Sequence, residues 1–253
     1  MQIPTVDIFI PAAPKDYSKL PFIVEAARRH VRVRDIHVCV PTFDGVPHVN
    51  HSVSWHLDDV VMPYDKSALK YRPSWCYQQF LKMFQTVTRD WYLVIDADTY
   101  MNRDIPLFAE NGNPILWIAT DQPMPVSYYN FNQQMLGYGR SYSKSFLSEC
   151  TLYHRPYVRD MISLRADDLT EYWSAWVKII NGDCLPADAE LYGTFMTHNY
   201  PDVYEIRQLL SSLGGRYDSH IWTEQEIMEE IESKRATDNA AHIFSLHSWE
   251  GKV

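Results

Sequence analysis

Asp96 and Asp98 stand one residue apart directly behind Trp91–Ile95, a run without a charged side chain. On an extended chain, side chains at i and i+2 point the same way, so both carboxylates can enter one crevice. Two adjacent carboxylates repel each other unless a cation neutralises them. A hard divalent ion does so: Mg2+ or Mn2+ binds one or two carboxylates together with the oxygens of a substrate phosphate. The plain alternative is that one aspartate caps the turn suggested by Asn102 and Pro106 while the other is solvated. D-x-D is a common pattern. Its place behind an apolar strand gives it weight, because ligands of open α/β sheets bind outside the carboxyl ends of the strands.

Asp188 and Glu190 form a second acidic pair, two and four residues after Pro186, a residue suited to open a helix. The helix dipole favours negative charge in a first turn, which is reason enough for acids there. Two positions apart on a helix, they diverge by about 200°, so only one can face a given site. His48, His51 and His56 (HVNHSVSWH) are numerous enough for a metal cluster, but they fall on an apparent loop with no helical H-x-x-x-H spacing. Cys39, Cys76, Cys150 and Cys184 contain no C-x-x-C pair, so a zinc site or redox dithiol is not expected.

These groups need elements to hold them. The sequence predicts a strand over 6–10 (VDIFI), ended by Pro11 and Pro14, and a helix over 20–30 with Pro21 in its first turn. Further strands are predicted over 35–40 (DIHVCV) and 59–62 (DVVM), each stopped by a proline. A helix follows over 75–87, with Ser74 as its cap, and then the strand 91–95. An apolar strand of this kind belongs inside a parallel sheet. The β-α-β-β-α-β order predicts an α/β fold with an open sheet of the nucleotide-binding kind. Later strands are expected over 114–120, 147–153, 203–206 and 243–246, with helices over 156–164, 168–180, 186–197 and 224–234. Residues 121–140, rich in Pro, Tyr, Asn and Gln without a clear period, read as a long loop with short pieces of structure, of the kind that often binds substrate near a site.

The length, 253 residues, suffices for one large domain, and nothing resembling a linker divides it. One domain is expected over 1–253, with a nucleotide-binding half to about residue 100 and an acceptor-side half beyond. The composition, 46% hydrophobic and 22% charged, excludes disorder as the dominant state. A formal net charge of −9 argues against a nucleic-acid backbone as partner, and any phosphorylated ligand would need a metal or local cations. No apolar run approaches the roughly 18 residues of a membrane span, and no secretory leader is evident, so a cytoplasmic location is expected. Aromatic residues make up 14%, and their flat faces suit stacking on sugars or bases.

The string YLVIDADTYMNRDI resembles the metal-binding D-x-D segment of GT-A-fold nucleotide-sugar glycosyltransferases. WCYQQFLK (75–82) is similar to the helix that precedes this motif, and ADAELYGTF (187–195) to the acidic helix start on the acceptor side. The likeness extends over about 6–247, to a little-characterised set of bacterial and viral proteins of that fold. It implies a GT-A-like open mixed sheet flanked by helices. Asp98 would bind the metal, and Asp96 the metal or the donor ribose. Pro11, Ala12, Ala13 and Asp16 would hold the nucleoside, although a turn or cap role serves Asp16 equally well. Lys82 could meet the donor, unless it is a solvated helix lysine. His247 would add a metal ligand after the last strand, and Lys252 would reach the diphosphate, although its spacing differs from the best-known version. Asp188 or Glu190 would act as general base, with Asp188 preferred.

The function so implied is a metal-dependent hexosyl- or pentosyltransferase that uses Mn2+ or Mg2+. It would move a sugar from a nucleoside diphosphate, by default UDP, to a hydroxyl of a surface glycan, with inversion. A haloacid-dehalogenase-like phosphohydrolase also uses D-x-D after a strand. Its motif normally lies near the N-terminus, however, with Thr or Val two positions after the second Asp, where this chain has Tyr100. A non-catalytic carbohydrate- or nucleotide-binding domain is the third possibility.

Overall fold

Val6, Ile8 and Ile10 alternate with Asp7 and Phe9 along the first strand, yet every one of these residues is buried. A strand buried on both faces must lie inside a layered structure. In the computed structural model of the protein, which describes residues 4–118, 125–146, 148–212, 215–216 and 221–248, it does. The first half comprises β1 (Val6–Pro11), a 3-10 turn (Pro14–Lys19), α1 (Leu20–His30), β2 (Val33–Val40), β3 (Ser54–Leu57), α2 (Asp58–Val61), α3 (Pro73–Phe84), β4 (Trp91–Ile95), β5 (Thr99–Met101) and β6 (Ile115–Ile118). The second half comprises α4 (Val126–Leu136), β7 (Cys150–His154), α5 (Arg155–Ser163), α6 (Leu169–Ile180), α7 (Asp188–Asn199), β8 (Glu205–Gln208), β9 (Ser211–Ser212), β10 (Gly215–Arg216), α8 (Glu224–Thr237), β11 (Ile243–Ser245) and β12 (His247–Ser248).

The main sheet has five strands in the order β3-β2-β1-β4-β7. The first four are parallel and β7 is antiparallel to β4, so the sheet is mixed. Its two faces collect two cores. Ile8, Ile10, Val38, Leu93 and Ile95 face α1, the short antiparallel pair β5–β11 and α8. Phe9, Cys39, Tyr92, Val94 and Tyr153 face α3, α4, α6 and α7, where Phe80, Phe131, Trp173 and Trp176 pack edge to face. Among the described residues no helix is long and apolar enough to cross a membrane.

Several local expectations change. The run 59–62 is not a strand: β3 lies just before it, and the chain turns into α2 with Asp58 and Asp59 in its first turn. Strand β4 sits between parallel β1 and antiparallel β7 rather than within a purely parallel sheet. Residues 126–136, expected in a loop, form α4. Its period was hidden because the buried face includes Asn132, which donates to Thr194 Oγ1 across the helix contact, and because Tyr128 and Tyr129 lie off that face. Ser74 caps nothing: Pro73 opens α3, preceded by Arg72 in the left-handed region at φ 41°. Pro186 does not open α7, because the chain is still extended at Ala187 (φ −138°) and the helix starts at Asp188. Of the four cysteines, all buried and unpaired, none forms a disulfide.

Two buried contacts fix the layers. Asp7 accepts from Arg34 Nε at 2.7 Å and from the Arg89 backbone N–H at 2.6 Å, tying β1 to β2 and to the turn before β4. Burial acts to raise its pKa, but the Arg34 and Arg89 hydrogen bonds and the Arg34 charge outweigh it and hold the carboxyl below its ordinary value. A depressed folded-state pKa gives stability that is complete above the unfolded value of about 4 and lost as pH falls through the folded value. Asp7→Asn is therefore expected to cost about 2 kcal/mol at neutral pH, measured by urea denaturation, with the difference from the parent shrinking below about pH 4. The second contact is at Gly193, where a Cβ would come within 2.2 Å of Phe146. Gly193→Ala should lower stability by about 1–3 kcal/mol, despite the better helix propensity of alanine, and a shifted urea midpoint would report it.

Candidate functional site

The loop that leaves β4 carries Asp96 and Asp98 at the carboxyl end of the parallel strands, both partly exposed. Here β1 ends in Pro11, whose carbonyl accepts from Gln78 Nε2 of α3 at 3.4 Å, and the Ala12 N–H donates to Cys39 O at 2.8 Å. Pro11 and Ala12 are buried and Ala13 is half-buried, so what this loop offers a ligand is chiefly backbone. Asp16 follows in the 3-10 turn, buried and paired with the fully buried Lys19 at 2.7 Å. The Lys19 ammonium also lies 5.8 Å from the ring centre of Trp222. The Asp16 charge is felt at Asp98, so the first-strand loop and the D-x-D belong to one electrostatic cluster.

Lys82 is the residue whose setting differs most from a solvated helix lysine. Its ammonium is buried, 2.7 Å from Asp96 Oδ1 and 3.7 Å from Asp188 Oδ1. Burial alone would lower its pKa, but Asp188 and Asp96 overcompensate and hold it firmly protonated. Asp188 is buried in turn: Tyr153 OH donates to its Oδ2 at 2.5 Å, and its backbone N–H donates to Gln79 Oε1 at 3.3 Å. Burial raises the Asp188 carboxyl above its ordinary value, opposed by Lys82 and the Tyr153 hydrogen bond. Through Lys82, α3, the end of β4 and the start of α7 meet at one point.

Glu190 goes elsewhere. Fully buried, it accepts from Ser145 Oγ at 2.9 Å and from the Phe146 N–H at 2.7 Å, with Arg140 Nε at 3.9 Å from its other oxygen. The divergence of i and i+2 on a helix thus has a concrete form. Asp188 joins the D-x-D cluster, and Glu190 fastens the segment that follows α4.

The register of β7 against β4 brings in an acid that sequence reasoning missed. Ile95 pairs with Cys150, so Glu149 falls beside Asp96, whose N–H donates to Glu149 O at 3.3 Å. Glu149 Oε1 accepts from Ser245 Oγ at 2.5 Å and lies 3.0 Å from His247 Nε2, while its Oε2 is buried with no hydrogen-bond partner among the described residues. His247 itself stands 3.9 Å from Asp98 Oδ1, and the Leu246 N–H donates to Asp98 O at 2.7 Å. Burial would lower the His247 pKa, but the Glu149 hydrogen bond and the Asp98 and Glu149 charges raise it to about 9. Burial also pushes the Asp98 carboxyl upward, helped by Asp16 and Asp96 and opposed by His247 and Lys19. Glu149, Tyr153, Gln79 and Lys19 could not be singled out beforehand. Only the strand register would have marked Glu149.

A divalent cation suits this chemistry. Asp98 and Glu149 offer oxygen donors, and one carboxylate oxygen is orphaned among the described residues. His247, which these acids hold protonated, would become an imidazole donor on giving up its proton to an arriving ion. Asp96, by contrast, is engaged by Lys82. Among the described residues, no three His, Cys, Asp or Glu side chains form a ready-made metal cage, so ion binding would require these side chains to draw together. His56 lies on β3 and contacts His37 at 3.0 Å, away from this cluster. Lys252 lies outside the described residues. No protein-family model and no curated protein sequence matches this chain.

Removing Lys82 leaves Asp96 and Asp188 facing each other without their cation. Lys82→Met is expected to cost about 3 kcal/mol at neutral pH. Without the ammonium, the Asp188 carboxyl, already raised by burial, rises further above its unfolded value, so the folded state binds more protons and the variant loses stability as pH rises. Urea titrations at pH 5 and pH 8 should show the larger deficit at pH 8.

Proposed function

We propose that the chain is a metal-dependent glycosyltransferase of GT-A type, taking a nucleoside-diphosphate sugar, by default UDP-linked, and a hydroxyl acceptor. The observation that carries this reading is the convergence of Asp98, Glu149 and His247 with the first-strand loop and Asp188 at the carboxyl edge of the sheet. The order β3-β2-β1-β4 with an antiparallel β7 supports it, as does the short sheet through β5 and β11 that crosses behind the D-x-D.

Asp98, with Glu149 and His247, would hold Mn2+ or Mg2+, which when bound neutralises the departing diphosphate as a Lewis acid. Backbone groups of Pro11, Ala12 and Ala13, with Asp16 held by Lys19, would line the nucleoside side. Lys82 holds Asp96 and Asp188 in register. Asp188, the nearer of the two acids of α7, takes the proton from the acceptor hydroxyl as that oxygen attacks the anomeric carbon with inversion. Tyr153 orients its carboxylate, and burial raises its pKa toward the working range of a general base. The acceptor on this reading is a glycan.

A thermal-shift panel of UDP-, GDP-, dTDP- and CMP-sugars, each with and without Mn2+, tests this. One donor should raise Tm by about 5 °C only when Mn2+ is present, and Asp98→Asn should abolish the rise. Asp188→Asn should keep the rise but slow transfer about 10²- to 10⁴-fold. No shift with any donor, or Asp96-dependent hydrolysis of p-nitrophenyl phosphate, would overturn the reading. Retained configuration in the product by NMR would remove Asp188 as an inverting base.

A further inference from the structure

The helix α4, which replaces the expected loop, presents two consecutive tyrosines to two arginines from different parts of the chain. Tyr129 lies under the Arg140 guanidinium at 4.4 Å, and Arg140 reaches on to Glu190 of α7. Tyr128 stacks on Trp75 of α3, with ring centres 6.1 Å apart and planes inclined by 25°. The Arg72 guanidinium lies 4.4 Å from the centre of the Trp75 ring. One end of this wall rests on Glu190, whose side chain diverges from that of Asp188 on α7, and the other is on α3, which also carries Gln79 and Lys82.

Its place above the sheet follows from topology. Strands β3 and β4 both run parallel to β1, so the connecting helix α3 runs opposite to them and begins at their carboxyl edge. Trp75, Gln79 and Lys82 recur at helical spacing along one face. Seven residues of helix separate Trp75 from Lys82 by about 10 Å, so the stack lies beside the reaction cluster and not within it.

Arg72 is the distinctive member. Its side chain is exposed and forms no ion pair among the described residues, in a chain whose formal net charge is −9. Tyr71 beside it is 56% exposed. Flat rings with polar edges suit the faces of pyranose rings, and a guanidinium is built to pair with a carboxylate or phosphate through parallel hydrogen bonds. In an acidic protein such a ligand needs a local cation, and Arg72 supplies one.

We propose that Arg72, Trp75 and Tyr128 form a subsite for an acidic sugar unit of the acceptor, the guanidinium pairing with its anionic group and the outer edges of the stacked rings meeting the sugar. This rests on the glycosyltransferase reading for the word acceptor, but binding itself can be measured without transfer. The unit held here is remote from the reacting hydroxyl, so it governs acceptor affinity.

Calorimetric titration of the full chain at fixed ionic strength provides the test, with tetragalacturonate, a hyaluronate tetrasaccharide, a phosphorylated mannotetraose and neutral cellotetraose as probes. At least one acidic probe should bind about tenfold more tightly than cellotetraose, and the carboxylate and phosphate arms identify which anion is preferred. Arg72→Asn, which tolerates the left-handed backbone, should remove that preference. Trp75→Leu should weaken acidic and neutral probes alike. No acidic preference in the parent, or a preference that survives Arg72→Asn, would overturn the subsite. Donor binding with Mn2+, followed in the same variants, should be unchanged. If the parent binds no donor while the Arg72-dependent preference stands, the transferase reading fails and the acidic-sugar site remains.

Discussion

One buried ammonium group organises the edge of the sheet that carries the acidic cluster. Lys82 is removed from water and placed between two carboxylates from opposite parts of the chain, Asp96 behind the central strand and Asp188 at the head of α7. Charges in such a setting are costly to bury and costly to separate, so the lysine fixes the relative position of three elements more firmly than apolar packing alone would. Tyr153 and Gln79 complete the arrangement by satisfying the remaining oxygen and the N–H of Asp188. A compact point charge suits this place, since it must serve two acids at once and not grip one of them side by side.

Around that pair the site is rich in acids and short of cations. Asp16, Asp96, Asp98, Glu149 and Asp188 are answered by Lys19, Lys82 and His247. Where acids outnumber cations in partly dry surroundings, protons and metal ions compete for the same oxygens. The raised Asp98 carboxyl and the imidazole held protonated by Glu149 are two expressions of that shortage. The rest of the fold keeps this arrangement in place: both faces of the sheet are packed, and the strands that carry the acids have little freedom to move.

The parts legible in the sequence were those governed by local pattern. The apolar runs of β1 and β4 and the period of α1 announced themselves, and the two aspartates behind β4 marked the end of the sheet that carries the site. What could not be read depended on partners distant in the chain. Lys82 resembles any helix lysine until α7 is folded against it. Glu149 acquires its place only from the antiparallel register of β7, and Tyr153 only from facing Asp188. Helix α4 escaped notice because its inward face includes Asn132, whose amide is satisfied by Thr194 across the contact. For Asp188 and Glu190, helical geometry required a divergence, but only the structure shows that Glu190 turns to Ser145 and Phe146.

The backbone bond from Leu246 to the carbonyl of Asp98, with β11 laid antiparallel on β5, joins segments separated by more than half of the chain. Closing so long a loop costs conformational entropy before any contact returns it, and folds that depend on such closures form slowly. The parallel strands β1 to β4 can assemble among themselves from neighbouring sequence. The cluster of Asp98, Glu149 and His247 must wait for the last strands to arrive, so a molecule can be largely folded for a time before these side chains meet.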